Sequence, residues 1–244
     1  MKANPSIPAL ETEFTVLHFA AFHKAPIEVI KKLLDAEADV NAIEKSGGYT
    51  PMMSSAVEKR WDIVLELIKK KANVNIPTFK YQRTVLHYAA MHGATAVVVA
   101  LLEAGADINA RELTDGVMAI NMAAVNGEWG TVLELIKREA DVNIPLKNTI
   151  GNTVLHNAVT DGELDVVKEL ISHGANINAI NNFNWTPLSL AAEEDQWDIV
   201  LLFLEQGANI EEVQGGRKYL LEKAENAGKL EWLSEIIDNN VESN

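Results

Sequence analysis

The chain has 244 residues, 48% of them hydrophobic, a formal net charge of −14 at pH 7 and no cysteine. The missing cysteine excludes a disulfide framework and a cysteine-ligated zinc site, and it fits a reducing compartment. The acidic charge argues against nucleic acid as a partner, because nucleic-acid-binding proteins present a basic stripe to the phosphate backbone. With no apolar run of about 18 residues and no hydrophobic signal segment, the sequence predicts a cytoplasmic chain that does not enter a membrane.

The chain begins with a short proline-containing stretch and continues as repeats. Pro5 and Pro8 lie in the first ten residues, and we expect residues 1–10 to be an extended segment. A unit of about 34 residues then recurs along the chain, which is typical of repeat proteins. The threonines that open the unit are Thr15, Thr50, Thr84, Thr153 and Thr186, and the asparagines that close it are Asn41, Asn75, Asn109, Asn143 and Asn178.

Each unit is predicted to form two short helices. Threonine is a good N-cap, and Pro51 and Pro187 follow two of the threonines at the first helical position, where a missing N–H does no harm. Apolar residues at helical spacing predict the second helix, which Gly105 ends in the left-handed conformation. Three repeats carry other residues at this position, namely Glu37, Lys71 and Glu139. If these residues are left-handed as well, each of them costs about 1 kcal/mol of stability.

The repeated segments resemble those of a known family. The opening segments TVLHFAA at 15–21 and TVLHYAA at 84–90, and the closing segments GADINA at 105–110 and GANINA at 174–179, are similar to ankyrin repeats. The resemblance covers about residues 11–238 and implies an all-α ankyrin-repeat solenoid of about seven helix-turn-helix units with short hairpin-like turns. We place the repeats of a single domain near residues 11–43, 44–77, 78–111, 112–145, 146–180 and 181–212, with a C-terminal cap at 213–238 and a frayed tail at 239–244.

The sequence contains no convincing catalytic or metal-binding arrangement. His18, His87 and His156 occupy one repeated position, and the resemblance implies that each bonds to backbone in the turns between units. The glycine-rich pieces lack the spacing of phosphate-binding or dinucleotide-binding loops. The acidic run at 193–195 does not supply two carboxylates facing each other across a cleft. We therefore predict that the chain is not an enzyme and uses no cofactor and no metal.

The resemblance implies another kind of site, a concave face formed by the turn tips before each first helix and by the exposed side of that helix. The tips are rich in aromatic residues, and aromatic, arginine and methionine side chains are enriched at protein interfaces. We expect partner binding at these positions, the alternative being that the aromatic tips only pack on each other. The positions are Tyr49, Phe79, Tyr81, Arg83, Met91, His92, Asp161, Phe183, Trp185, Glu193 and Glu194.

The predicted function is therefore that of a protein–protein interaction module, a scaffold or adaptor that binds another protein and is itself a monomer. Because Asp161, Glu193 and Glu194 lie in the C-terminal half, we expect the partner to carry a basic segment that docks there. One alternative is a regulatory or inhibitory subunit of an enzyme. Another is a bacterial effector secreted into a host cell cytosol, since the acidic C-terminal stretch is also similar to effector export signals.

Overall fold

A computed structural model describes residues 14–147, 150–211 and 215–242 of the chain, with side chains up to residue 238. These residues form fourteen α-helices and contain no strand. The all-α fold class and the pairing of the helices into seven helix-turn-helix units are confirmed. The chain divides into two compact units, Met1–Leu135 and Ile136–Asn244. The predicted extended segment 1–10 lies outside the described residues.

The first unit is a stack of helix pairs. Its helices are α1 (Val16–Phe22), α2 (Ile27–Asp35), α3 (Pro51–Val57), α4 (Trp61–Lys69), α5 (Val85–Met91), α6 (Thr95–Glu103), α7 (Ala119–Val125) and the larger part of α8 (Trp129–Lys137). The first helices pack side by side, α1 on α3, α3 on α5 and α5 on α7, and the second helices α2, α4 and α6 do the same. Ala21, Ala56 and Ala89 are fully buried between them, because a small side chain lets neighbouring helices approach closely.

The second unit repeats this arrangement. After the end of α8, its helices are α9 (Val154–Thr160), α10 (Leu164–Ser172), α11 (Pro187–Glu193), α12 (Trp197–Glu205), α13 (Gly216–Asn226) and α14 (Leu230–Glu242). Helix α11 packs between α9 and α13, and α12 packs between α10 and α14. The last helix ends at Glu242, four residues beyond the predicted cap boundary at 238.

Local sequence explains where these helices begin and end. The Thr153 side chain accepts a hydrogen bond from His156 N, and Pro51 lies at the start of α3, as predicted. At the helix ends, Gly105 is left-handed with a φ of 87°, and Lys71 and Glu139 adopt the same conformation with φ values of 60° and 64°. The predicted conformation of Gly105 is thus confirmed, and Lys71 and Glu139 meet the condition set for them, so the turn has one backbone form whether or not glycine occupies it.

The closing asparagines join successive repeats through main-chain groups. In the first unit, Asn75 Oδ1 accepts from Asp107 N at 2.9 Å and Asn75 Nδ2 donates to Gly105 O at 2.8 Å. In the second unit, Asn143 makes the equivalent pair of bonds to the next repeat, at 2.8 and 2.9 Å. A primary amide is suited to this position because it is both a donor and an acceptor.

Candidate protein-binding surfaces

One buried polar side chain closes the short loop at a turn tip. Glu44 is fully buried and accepts hydrogen bonds from the backbone N–H groups of Ser46 at 2.6 Å and Tyr49 at 3.1 Å. Asn181 has the same role in the second unit, where its Oδ1 accepts from Trp185 N at 3.0 Å. The loops are therefore held in one shape before any partner binds.

Sequence reasoning missed these loop-closing residues, although their spacing carries a signal. They recur at steps of 34 or 35 residues, and all of them are buried. The loop-closing side chains are those of Glu44, Thr78, Glu112 and Asn181, and the buried Leu146 occupies the same position without a side-chain acceptor. Because a carboxylate, a hydroxyl, an amide and an apolar side chain share the position, no residue type marks it.

The repeated histidines hold the residue that ends each tip. His18 Nε2 lies 2.9 Å from Tyr49 O, and since a carbonyl only accepts, Nε2 donates while Nδ1 accepts from Thr15 N at 3.2 Å. His156 makes the same contact with Trp185 O at 3.1 Å in the second unit. Burial lowers the pKa of both imidazoles, and the bonds to these carbonyls only partly oppose it. The expected bonds to backbone are confirmed, and they fix the main chain of Tyr49 and Trp185.

Successive tips of the first unit are joined by main-chain bonds and by an aromatic contact. Phe79 N donates to Gly47 O at 2.8 Å, and the Phe79 ring lies so close to Gly48 that a Cβ there would be 2.4 Å from it. Leu113 N donates in the same way to Tyr81 O at 2.8 Å. Phe79 nevertheless leaves 53% of its surface exposed, and Leu113, which sequence reasoning did not select, leaves 68%. The tips thus pack on each other and still present apolar surface.

Tyr81 lies beside two cations. Lys80 Nζ is 4.7 Å and Arg83 Cζ is 5.1 Å from the centroid of the Tyr81 ring, which fits cation–π contacts. Arg83 Nε also donates to Glu112 Oε2 at 3.1 Å, and the Glu112 side chain is almost completely buried. The buried carboxylate holds the guanidinium in place, so Tyr81 and its cations form an ordered patch of mixed aromatic and basic character.

Tyr88 interacts with the side chains of Tyr49 and Arg83. Burial raises the pKa of the Tyr88 phenol, and the neighbouring Tyr49 raises it further while Arg83 lowers it. Sequence reasoning missed Tyr88, which follows His87 in the opening segment. Its position varies from repeat to repeat, which is the signal that could have identified it. The residues there are Phe19, Ser54, Tyr88, Met122, Asn157 and Leu190.

Met91 and His92 lie at the other end of α5 and are only half exposed. The His92 ring is tilted towards Trp61, with 6.3 Å between the ring centroids. Burial lowers the pKa of His92, and the nearby positive charge of Lys59 lowers it further. The first unit therefore brings Tyr49, the 79–83 loop and Tyr88 together, and places Met91 and His92 apart from them along the helix.

Two of the predicted residues in the second unit contact helix α13. The rings of Trp185 and Tyr219 meet edge to face, with centroids 6.0 Å apart and an angle of 82°. Glu193 accepts a hydrogen bond from the Tyr219 hydroxyl and forms an ion pair with Lys223. These two bonds lower the pKa of Glu193, the one with Lys223 most. The surface of the second unit thus includes Tyr219 and Lys223, which sequence reasoning did not select.

The other three predicted residues of the second unit are exposed. Phe183 leaves 53% of its surface accessible at the tip of its loop. Asp161 and Glu194 are the C-cap residues of α9 and α11, and both side chains are exposed. A carboxylate at this end of a helix meets the negative pole of the helix dipole, which is unfavourable.

Over the described residues, no cluster of three or more histidine, cysteine, aspartate or glutamate side chains has the geometry to hold a metal ion. In the same part of the chain, none of the helices has both the length and the apolar character needed to cross a membrane.

Comparison with known proteins identifies the repeat. A family model described as ankyrin repeats (three copies) matches residues 15–112 and 120–214. A Notch-regulated ankyrin repeat-containing protein of Xenopus tropicalis is 43% identical over 54 residues, which are 22% of this chain and 47% of that protein. The potassium channel AKT1 of Oryza sativa subsp. indica is 43% identical over 53 residues, 22% of this chain and 6% of the channel. The match therefore spans less than half the length of either relative.

Proposed function

The chain belongs to the ankyrin-repeat family, whose members generally serve as protein–protein interaction modules, and from this premise we propose that it is a scaffold or adaptor. Its turn tips and first helices bind a partner protein. The observation that carries the proposal is the exposure of Phe79 and Tyr81, at 53% and 37%, on one loop that internal hydrogen bonds already hold in place.

Rigid aromatic side chains on ordered loops suit binding for a physical reason. An interface residue that is mobile in the free protein loses conformational entropy on binding, about 0.5–1.5 kcal/mol for a flexible side chain. Phe79 and Tyr81 avoid much of this loss, because Gly48 packs against one ring and Lys80 and Arg83 flank the other. Desolvation of such rings contributes most where they are surrounded by further contacts.

The acidic residues of the second unit support a partner with a basic segment. Asp161 and Glu194 are exposed carboxylates at the ends of two first helices, so a partner's cation can reach both of them. Glu194→Lys should therefore slow association and weaken its dependence on salt, while changing the free energy of unfolding by less than about 0.5 kcal/mol. Unchanged association kinetics would remove this part of the proposal.

Affinity capture from a lysate tests the proposal when variants are compared. The wild type, a Phe79→Ala/Tyr81→Ala variant and an Ile43→Ala control are used as baits, and bound proteins are quantified by mass spectrometry. Ile43 is a matched control because it is exposed in the same unit, at 41%, but lies outside the proposed surface.

The captured amount of a genuine partner should fall by about tenfold or more with the double variant, as expected for hot-spot residues. With the control variant the captured amount should be unchanged. Proteins that bind all three baits equally would contradict the proposed surface. We further propose that the chain acts in the cytoplasm and is a monomer. Light scattering of the purified chain measures its mass and so checks the monomer.

A further inference from the structure

Four side chains of the second unit form a mixed aromatic and charged cluster. The Trp185 and Tyr219 rings are nearly perpendicular, at 82°, and Glu193 bonds the Tyr219 hydroxyl. Lys223 Nζ lies over the Tyr219 ring, 5.6 Å from its centroid, and is paired with the Glu193 carboxylate. An ammonium group therefore already lies against an aromatic face and a carboxylate within this chain.

The carboxylate is open to another cation if Lys223 moves away. The Tyr219 hydroxyl and Lys223 Nζ both bond Oε2 of Glu193. The Glu193 side chain is 40% exposed and the Lys223 side chain 29%, so both can be reached from solvent. The cluster thus has the chemistry of an ammonium site and an opening towards a partner.

We propose that Trp185, Tyr219 and Glu193 form a binding site for the ammonium group of a lysine side chain on the partner, and that Lys223 occupies this site in the free chain. The inference rests on the proposed function, because it names the chemistry of the group that the partner supplies. A lysine fits better than an arginine, since the resident cation is itself a compact ammonium group on a flexible stem.

In this proposal the ammonium group of a partner's lysine replaces that of Lys223. The site is therefore ordered in the free chain and can still bind a partner. Without Lys223, the Glu193 carboxylate would keep its bond from the Tyr219 hydroxyl but lose the ammonium group that pairs with it. With it, a partner's lysine must replace an equivalent group, which weakens binding but makes it selective for alkylammonium chemistry. Lys223 is therefore a competitor, and its removal should strengthen binding of an added ammonium compound.

A titration followed by NMR tests this inference with the full chain. The probe is Nα-acetyl-L-lysine methylamide, and its Nε-acetylated form at equal ionic strength is the control. The reporter is the indole N–H signal of Trp185, identified among the five tryptophans by its loss in Trp185→Phe. The variants are Lys223→Met, Lys223→Arg, which keeps a resident cation, and Glu193→Gln.

The lysine probe should shift the Trp185 signal weakly in the wild type and bind about tenfold more tightly to Lys223→Met than to the wild type or to Lys223→Arg. It should not shift the signal in Glu193→Gln, and the acetylated probe should not shift it in any variant. An unresponsive Trp185 in the wild type and in Lys223→Met, or an equal response to both probes, would overturn the site. Equal affinity of Lys223→Met and wild type would overturn the role of Lys223.

Apart from Trp185→Phe, which serves only to assign the signal, the wild-type titration needs no altered chain. An equal response of the wild type to both probes overturns the site even if another variant fails to fold. No partner protein is present in the titration, and the capture experiment changes Phe79 and Tyr81 in the other unit. Failure of the ammonium site and failure of the proposed function are therefore separate outcomes.

Discussion

Two turns of the first unit use glycine for different reasons. Gly48 in the tip loop and Gly105 at the end of α6 are both left-handed, with φ values of 75° and 87°. A Cβ at Gly48 would lie 2.4 Å from the Phe79 ring, whereas a Cβ at Gly105 would have no atom within 4 Å. The tip glycine makes room for a side chain of the proposed surface, and the helix-ending glycine serves only the backbone.

The two turns also differ in what holds them. The helix-ending turn is closed by main-chain bonds, Gly105 N to Leu102 O at 3.0 Å and Ala106 N to Leu101 O at 2.9 Å. The tip loop additionally depends on the Glu44 carboxylate and on the His18 imidazole. Substitution and pH should therefore affect the tip loop more than the helix-ending turn.

The largest effect is expected for Gly48→Ala. Left-handed strain of about 1 kcal/mol and the displaced Phe79 ring, at about 1–3 kcal/mol, together predict a loss of about 2–4 kcal/mol of unfolding free energy. Urea denaturation measures it, and Gly105→Ala is the control that has only the strain. Equal losses in the two variants would show that the ring moves aside freely.

Removal of the loop-closing carboxylate should come next. Glu44→Ala leaves the N–H groups of Ser46 and Tyr49 without their acceptor, which predicts a loss of about 1–3 kcal/mol in the free energy of unfolding. Glu44→Gln keeps one acceptor oxygen and should lose less. If the alanine variant were as stable as the glutamine variant, the loop would not depend on this acceptor.

A fall in pH should loosen the tip loops before the helix-ending turns. Burial lowers the pKa of His18, so below the ordinary histidine pKa of about 6.5 the unfolded chain binds protons that the folded chain does not, and stability falls. For Glu44, burial raises the pKa, but the bonds from Ser46, Tyr49 and Gly47 outweigh it and lower the pKa. Its contribution is present above the unfolded glutamate pKa of about 4.3 and is lost as pH falls through the lower folded-state pKa, after the histidine contribution.

Hydrogen exchange between about pH 7.5 and about pH 5.5, corrected for intrinsic rates, checks this expectation. Protection of the Tyr49 amide should fall more than protection of the Ala106 amide. Equal changes at both amides would mean that the histidine bonds do not govern the loop.

The smallest effect concerns the helix-ending turns without glycine. Lys71→Gly and Glu139→Gly should each raise the unfolding free energy by about 1 kcal/mol, because both residues are left-handed in the structure. Gly105→Ala should lower it by a similar amount. The urea midpoints of the three variants measure these increases and decreases in stability. A midpoint lowered by Lys71→Gly would show that the Lys71 side chain makes a stabilising contact.

Most of the fold follows from local patterns in the sequence. Threonine caps, prolines at the first helical position and the left-handed residue after the second helix each act over a few residues, so they can be read one unit at a time. The repeat period then supplies the packing, since equivalent helices must stack on each other. The role of the histidines could be predicted in the same way, because they occupy one repeated position.

The candidate surface was less predictable, because its environment depends on contacts between repeats. Register alone located the tips, but the bond from Tyr219 to Glu193 joins residues 26 apart, and the pair of Arg83 and Glu112 joins residues 29 apart. Arg83 is the only arginine at its repeated position, and Tyr219 lies after the last closing asparagine, so the repeat period reveals neither pair. Tyr88 was missed for a related reason: its role comes from its neighbours Tyr49 and Arg83 rather than from its own position.

The asparagine contacts have a consequence for how such a chain changes over evolutionary time. Asn75 and Asn143 each bond an N–H and a carbonyl of the following repeat, groups that every residue except proline provides. The receiving side chain is Asp107 in one case and Asn176 in the other, and neither side chain takes part in that bond. A duplicated or exchanged repeat would thus accept the same asparagine bonds, whatever its surface residues. Recombination can therefore alter the partner while the contacts between repeats stay the same.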